Sequence, residues 1–227
     1  MEPKLPRNTA AQKDRARRIL RELYRHYPEA HCELHYRNPH ELLVATILSA
    51  QALDSSVNKA TPALFAAFPA PADYAAASPK QIEPYVRSLG FYRNKAKSIH
   101  EAMKTICLEF GGRVPDTMEE LLRLWGVARK TANVVLGNAW AINAGVVVDT
   151  HVIRLARRLG LSRHQDPRKI ELDLMALFPR RHWTQLGHML IWHGRRACKA
   201  RGALCAEHPL CRKYCSNSMV SARRAAT

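Results

Sequence analysis

Polar and apolar positions recur at helical spacing along nearly the whole chain. Residues 11–26 read as a charged amphipathic helix, and 40–50 are so apolar that they predict a buried one, with Asp54 placed to cap the helix that follows. A loop is expected at Pro69-Ala70-Pro71. Ser78, followed by Pro79 and then by Gln81 three positions on from the serine, gives a capping-box start. Residues 91–110 keep the helical period until Gly111-Gly112 stops them. Asp116 with Glu119 marks another start, of a short helix over 117–124 that runs into Gly126, and a further helix is expected at about 130–139.

From Ala141 to Val148 the helical period is lost. Val146-Val147-Val148 is the only strand candidate, and one extended segment does not make a sheet. Asp149 begins a helix that Gly160 ends, Asp166-Pro167 begins another, and 181–194 forms the last long one. The segment 216–227 has little to bury and is expected to be a disordered tail. There is no internal repeat and no low-complexity tract. The expected fold class is therefore all-α.

With 227 residues and 47% apolar content, the chain can bury a core, either as one large domain or as two small lobes sharing a cleft. Lys and Arg number 36 against 19 Asp and Glu, a net charge of +17 with a pI near 10.1, so the natural partner is a polyanion. Nucleic acid and an anionic membrane surface both qualify. No run of 18 apolar residues occurs, and the opening Met1-Glu2-Pro3-Lys4 lacks the apolar stretch of a signal peptide. An intracellular protein with no membrane anchor is expected. In a reducing compartment six cysteines do not point to disulfides. Cys32 and Cys107 stand alone, whereas Cys198, Cys205, Cys211 and Cys215 crowd within 18 residues, which points to a metal.

Two short helices joined by Trp125-Gly126-Val127-Ala128 would aim the open amides of the second helix outward, making an anion site suited to a phosphate. The same spacing also describes an ordinary helix-turn-helix corner. The string from Leu124 to Leu136, Leu-Trp-Gly-Val-Ala-Arg-Lys-Thr-Ala-Asn-Val-Val-Leu, resembles the helix-hairpin-helix of the endonuclease III family, usually Leu-Pro-Gly-Val-Gly-Arg/Lys-Lys-Thr-Ala. Two positions depart from it: Trp125 replaces Pro, and Ala128 replaces the second Gly. If position 128 needed left-handed dihedrals, Ala would cost about 1 to 2 kcal/mol there, and DNA affinity would fall below that of Ala128→Gly. The resemblance runs from about Leu42 to Cys215. It includes Leu48-Ser49-Ala50-Gln51-Ala52-Leu53-Asp54 (the family usually has Thr at Leu53), Ser55 to Thr61, Val148-Asp149-Thr150-His151-Val152, and Leu190-Ile191-Trp192-His193-Gly194-Arg195.

The resemblance implies a DNA glycosylase that also cuts the strand, excising an oxidised pyrimidine from double-stranded DNA through the amine of Lys130 and cleaving the abasic site. Such an amine must be uncharged, and only roughly one ordinary lysine in 2,500 is neutral at pH 7. Arg129 and a helix N-terminus are positive neighbours that oppose the ammonium form. Asp149 would stabilise positive charge growing on the sugar and assist proton transfer. A helix over 130–139 travels about 15 Å and nine extended residues can return about 30 Å, so the two can meet. Standing alone, Lys130 would read as a phosphate-contacting charge and Asp149 as an N-cap.

By the same resemblance Gln51 fills the space left by a flipped base, Phe91 (where Leu is more common) wedges against the opposite strand, and Gly126, Val127, Ala128, Arg129 and Thr131 grip phosphate. Without the family, Gln51 is a helix-end polar residue and Phe91 a half-buried core residue. His151 is either a contact near the cleft or a structural histidine.

Four thiolates on one loop can hold a [4Fe-4S] cluster or a tetrahedral zinc ion, but the C-x2-C pairs of zinc ribbons do not occur. The family's cluster spacing is C-x6-C-x2-C-x5-C, while this chain reads C-x6-C-x5-C-x3-C, with His208 and Tyr214 at the expected third and fourth positions. The expected cofactor is a [4Fe-4S] cluster on Cys198, Cys205, Cys211 and Cys215; ligation by His208 and loss of the cluster are the other readings. Arg195, Arg196, Lys199, Arg201, Arg212 and Lys213 around the loop are expected to touch DNA backbone.

The architecture that follows is a six-helix barrel over 32–142 carrying the hairpin, a cluster lobe of 1–31 with 143–215, and DNA in the cleft between them, bound by a monomer associated with the nucleoid. Three other readings remain at this stage: an adenine-removing glycosylase of the same superfamily without lyase activity, a noncatalytic helix-hairpin-helix DNA-binding protein, and a membrane-surface protein.

Overall fold

Several helices of the computed structural model, which describes residues 4–201 and 207–215, start where a polar side chain takes an amide left open by the first turn, while others start with no side-chain cap. Thr9 opens α1 (Ala10–His26) and Asn38 opens α2 (Pro39–Leu48), accepting from the amides of Gln12 and Glu41. Next come α3 (Asp54–Ala67), α4 (Pro71–Ala76), α5 (Pro79–Val86) and α6 (Tyr92–Phe110), the last closed by Gly111 at φ +58°. Thr117 caps α7 (Met118–Leu121), and α8 (Arg129–Ala139) follows the turn after it. Asp149 and Asp166 cap α9 (Thr150–Arg158) and α10 (Pro167–Leu177), and α11 (Trp183–Arg196) and α12 (Pro209–Tyr214) complete the series. The fold is all-α, with no strand among the described residues and no helix there long and apolar enough to cross a membrane.

Several local expectations are corrected. Asp54 does not cap α3: it is the first helical residue, and Leu53 holds the cap position with extended dihedrals and no side-chain hydrogen bond. At α7 the cap is Thr117 and not Asp116, because the threonine hydroxyl reaches the amide of Glu120 and donates in turn to the Glu120 carboxylate at 2.7 Å. The stretch after Ala70 is a short helix and not only a loop. Pro71 stands in its first turn and the Asp73 carboxylate accepts the Ala70 amide at 2.8 Å, so a turn-like sequence starts a helix. Val146, Val147 and Val148 form no ladder, as expected of a lone segment, and are buried in the connector between α8 and α9. The cysteine segment carries its own helix, α12, with Cys211 inside it.

The chain forms two compact units. Residues 32–142 hold α2 to α8, and residues 1–31 with 143–227 hold α1 and α9 to α12. In the first, α2 is buried along almost its whole length and packs on α3, α6 and α8. Its one buried acid, Glu41, is satisfied by the backbone amide and the guanidinium of Arg37, at 2.7 and 2.6 Å. In the second, Ile19 and Leu23 of α1 share a core with Val152 and Leu155 of α9, Ile170 and Leu174 of α10, and Leu186 and Leu190 of α11. Val146 and Val148 belong to this core, which is why the connector is apolar without being a strand.

Candidate functional site

Gly126 turns the hairpin between α7 and α8. It sits at φ +77°, a left-handed conformation that costs an L side chain about 1 to 2 kcal/mol. A Cβ on it would also lie 2.9 Å from Ser98 Cβ, so the turn rests directly on α6. Val127 is buried and its amide donates to Leu124 O at 3.1 Å, closing the turn. Ala128 then occupies the N-cap of α8 at φ −91° and ψ 169°. That is ordinary extended backbone, so the penalty considered for Ala at this position does not arise. Having no polar side chain, Ala128 leaves the first-turn amides of α8 uncapped, and Lys130 is the second residue of that turn, exposed to solvent, with Arg129 before it and Thr131 after it. Trp125 stands 57% exposed beside the glycine, and Lys97 of α6 places its Nζ 5.6 Å from the indole ring. Lys97 lay outside the motif strings and so escaped the sequence reading.

Gln51 and Phe91 share an unusual backbone. Both are exposed and both take left-handed dihedrals, at φ +52° and +58°. Each such residue costs about 1 to 3 kcal/mol, and Phe91, 65% exposed, recovers little of it by burial. Ala141, also exposed, takes the same left-handed region at φ +55°. One turn after Phe91, Lys95 is buried with no hydrogen-bond partner for Nζ among the described residues, and burial pulls its pKa below the ordinary lysine value. Nothing in the sequence pattern had marked that lysine.

Asp149 and His151 belong to the other unit. Asp149 caps α9 through one oxygen, Oδ1, which accepts the Val152 amide at 2.9 Å. His151 packs so closely on α11 that a Cβ at Gly194 would lie 2.9 Å from its own Cβ. Its Nδ1 faces Arg154 Nη2 at 3.1 Å, and burial holds its pKa below the usual histidine value while Asp149 acts in the opposite direction. Arg154 also donates to the carbonyls of Gly194 and Cys198, at 2.9 and 3.0 Å, and Arg158 donates to Cys198 Sγ at 3.2 Å. Two arginines four positions apart therefore tie the helix that Asp149 starts to Cys198, the first of the C-terminal cysteines.

Cys198, Cys211 and Cys215 are buried together, while Cys205 lies outside the described residues. Hydrogen bonds with Cys211 and Cys215, together with the Arg158 guanidinium, hold the Cys198 thiol far below its ordinary range. His193, His208 and Cys211 present ligand atoms within 4.8 Å of one another and can hold a metal ion. Tyr27 stands among them, with its hydroxyl 2.8 Å from His193 Nδ1 and 3.1 Å from His208 Nε2. Burial, followed by the neighbouring His208, takes the His193 pKa down to about 3, and burial takes that of Tyr27 up to about 12. Of the basic residues expected on DNA backbone, Arg196 stacks on Trp192 at 3.6 Å and Lys213 pairs with Glu22 at 3.7 Å.

The model of the HhH-GPD superfamily of base excision DNA repair proteins matches residues 44–180. An endonuclease III of Synechocystis sp. is 53% identical over 203 residues, which cover 89% of this chain and 93% of that protein. A solved structure of a non-covalent endonuclease III–DNA complex superposes with a TM-score of 0.88 at 40% identity, over 93% of this chain and 98% of that one. A trapped endonuclease III–DNA covalent intermediate, an estranged-adenine complex, gives 0.85 at 41% identity, over 90% and 95%. On this likeness, which spans nearly the full length and includes the hairpin, the chain belongs to the endonuclease III family of the HhH-GPD superfamily.

Proposed function

We propose that the protein is a bifunctional DNA N-glycosylase and abasic-site lyase that removes oxidised pyrimidines from duplex DNA. Lys130 Nζ attacks the sugar C1′ as the bond from C1′ to the base nitrogen breaks, and the base leaves with the electron pair and takes up a proton. Loss of the ammonium proton and opening of the sugar ring at O4′ give a Schiff base between Nζ and C1′. Removal of a C2′ proton then expels the 3′ phosphate and cuts the strand by β-elimination. Asp149 supplies the carboxylate that stabilises positive charge on the sugar and carries protons, and its capping bond to Val152 fixes its orientation.

The open amides of α8, with Gly126, Val127, Ala128, Arg129 and Thr131, bind a phosphate of the backbone. Gln51 occupies the space of the flipped base and Phe91 wedges the other strand; their strained backbone is the support for that reading. His151 lies behind Asp149 as a positioning residue. A [4Fe-4S] cluster fits the cysteine site: three thiols are buried together and a guanidinium favours the thiolate form, and Cys205, outside the described residues, would be the fourth ligand. Bound there, the cluster would cross-link the segment that carries it. The protein acts on DNA as a monomer, inside the cell and on the nucleoid.

The observation that carries the reading is an exposed lysine on the uncapped first turn of the helix after a glycine-turned hairpin. Incision of a duplex containing an oxidised pyrimidine, and of one containing an abasic site, tests it. Lys130→Ala and Asp149→Ala are both expected to lose at least a hundredfold in rate while staying folded, Asp149→Ala at a cost of about 1 kcal/mol in stability for the lost α9 cap. Base release without strand cutting by the wild type would support an adenine-type monofunctional enzyme, and neither reaction would support a noncatalytic binder.

A further inference from the structure

Cys211 lies at the end of a run of four hydrogen bonds whose direction can be read from its other end. The backbone N–H of Leu210 donates to His208 Nδ1 at 3.3 Å. A backbone amide can only donate, so Nδ1 is the acceptor nitrogen of that ring and its proton sits on Nε2. His208 Nε2–H then donates to Tyr27 Oη at 3.1 Å, which leaves the Tyr27 O–H to donate to His193 Nδ1 at 2.8 Å. The proton of His193 is thereby placed on Nε2, which faces Cys211 Sγ at 3.2 Å. Sulfur is the terminal acceptor. Reversing the run would set an N–H at His208 Nδ1 against the Leu210 amide, and protonating His208 on both nitrogens would do the same.

We propose that His193 is a hydrogen-bond donor to the Cys211 thiolate of the cluster, fixed in that tautomer by Tyr27 and His208, and that neither imidazole binds the metal. The proposal rests on the [4Fe-4S] reading above. Although His193, His208 and Cys211 are close enough to hold an ion, both ring nitrogens of each histidine are already committed to other partners. The relay joins the C-cap of α1, His193 of α11 and the N-cap of α12, and so pins the helix carrying Cys211 to two others. A hydrogen bond into a ligating sulfur withdraws electron density and favours the more reduced cluster, so His193 raises the reduction potential. It is a positioning residue, and its effect is electrochemical rather than catalytic.

The test compares purified wild type with His193→Phe, His193→Gln and Tyr27→Phe. Iron and acid-labile sulfide are counted first, and the cluster potential is then measured by voltammetry. His193→Phe is expected to shift the potential negative, His193→Gln to recover most of the shift because its amide N–H can reach the sulfur, and Tyr27→Phe to shift it less in the same direction. A wild type without iron overturns the cluster reading and this proposal together. A loaded wild type with a loaded His193→Phe at the same potential overturns the proposal alone. If His193→Phe fails to load, Tyr27→Phe decides, and an unchanged potential there counts against the relay. Pulsed EPR of the reduced cluster showing a directly bonded nitrogen that disappears in His193→Phe would make His193 a ligand and also overturn it.

Discussion

Replacing Gly126 with Ala tests the hairpin through two separable effects. The left-handed φ of +77° costs the new side chain about 1 to 2 kcal/mol. Its Cβ would also meet Ser98 Cβ at 2.9 Å and Oγ at 3.0 Å, a contact with the root of a helical side chain that can be relieved only by moving the turn off α6, at a further 1 to 2 kcal/mol or so. Together they predict destabilisation of about 2 to 4 kcal/mol, or a melting temperature lower by roughly 4 to 16 °C. Because the turn aims the α8 amides, binding to an undamaged duplex should weaken as well.

Ser98→Gly in the same background removes the contact but not the dihedral cost. It should restore part of the loss even after the roughly 0.5 kcal/mol that glycine costs inside α6. Ala128→Gly is the control. At φ −91° the alanine is unstrained, so this change should move stability by less than 1 kcal/mol and leave affinity unchanged across a salt titration. Fluorescence anisotropy and thermal melts read both quantities. Wild-type melting and affinity for Gly126→Ala, or a clear affinity gain for Ala128→Gly, would refute this reading of the turn.

Phe91→Gly releases a left-handed dihedral while deleting the exposed ring proposed as the wedge, so its melting temperature should stay within a few degrees of wild type while base excision falls at least tenfold; unchanged excision would remove Phe91 from the proposed site. His188 is buried, and its pKa is taken from 6.5 down to about 4, mainly by burial and then by His31. It is neutral in the fold, whereas the unfolded chain takes up a proton as pH falls through 6.5, so acidification favours unfolding between about pH 6.5 and 4 by up to about 3 kcal/mol. Melts at pH 7 and pH 5 should therefore show a smaller loss for His188→Gln than for wild type, and equal losses would contradict this assignment.

The sequence showed the fold wherever structure is set locally. Asp149 and Asp166 cap the helices expected of them, and Gly111 and Gly160 take the positive φ that ends a helix. It was misleading where a neighbouring residue could serve as well, as with Thr117 beside Asp116, and silent where burial comes from tertiary packing, as with the core that takes in Val146 and Val148. The hairpin was legible because a turn with one obligatory glycine is a local object, whereas the role proposed for Lys130 came from the family resemblance and not from the residue's own surroundings. The strain at Gln51 and Phe91 was not, since neither residue type announces a left-handed backbone. The relay onto Cys211 was hidden for another reason: Tyr27, His193 and His208 are far apart in the chain and meet only when α1, α11 and α12 pack.

The central claim is that one amine forms the covalent bond to deoxyribose. Reducing the reaction on an abasic duplex with borohydride, digesting the adduct with protease and locating the nucleotide remnant by mass spectrometry tests it directly. The remnant is expected on the peptide containing Lys130, with no adduct formed by Lys130→Ala. A remnant on the buried Lys95, on Lys97 beside Trp125, or on no lysine at all would contradict the account.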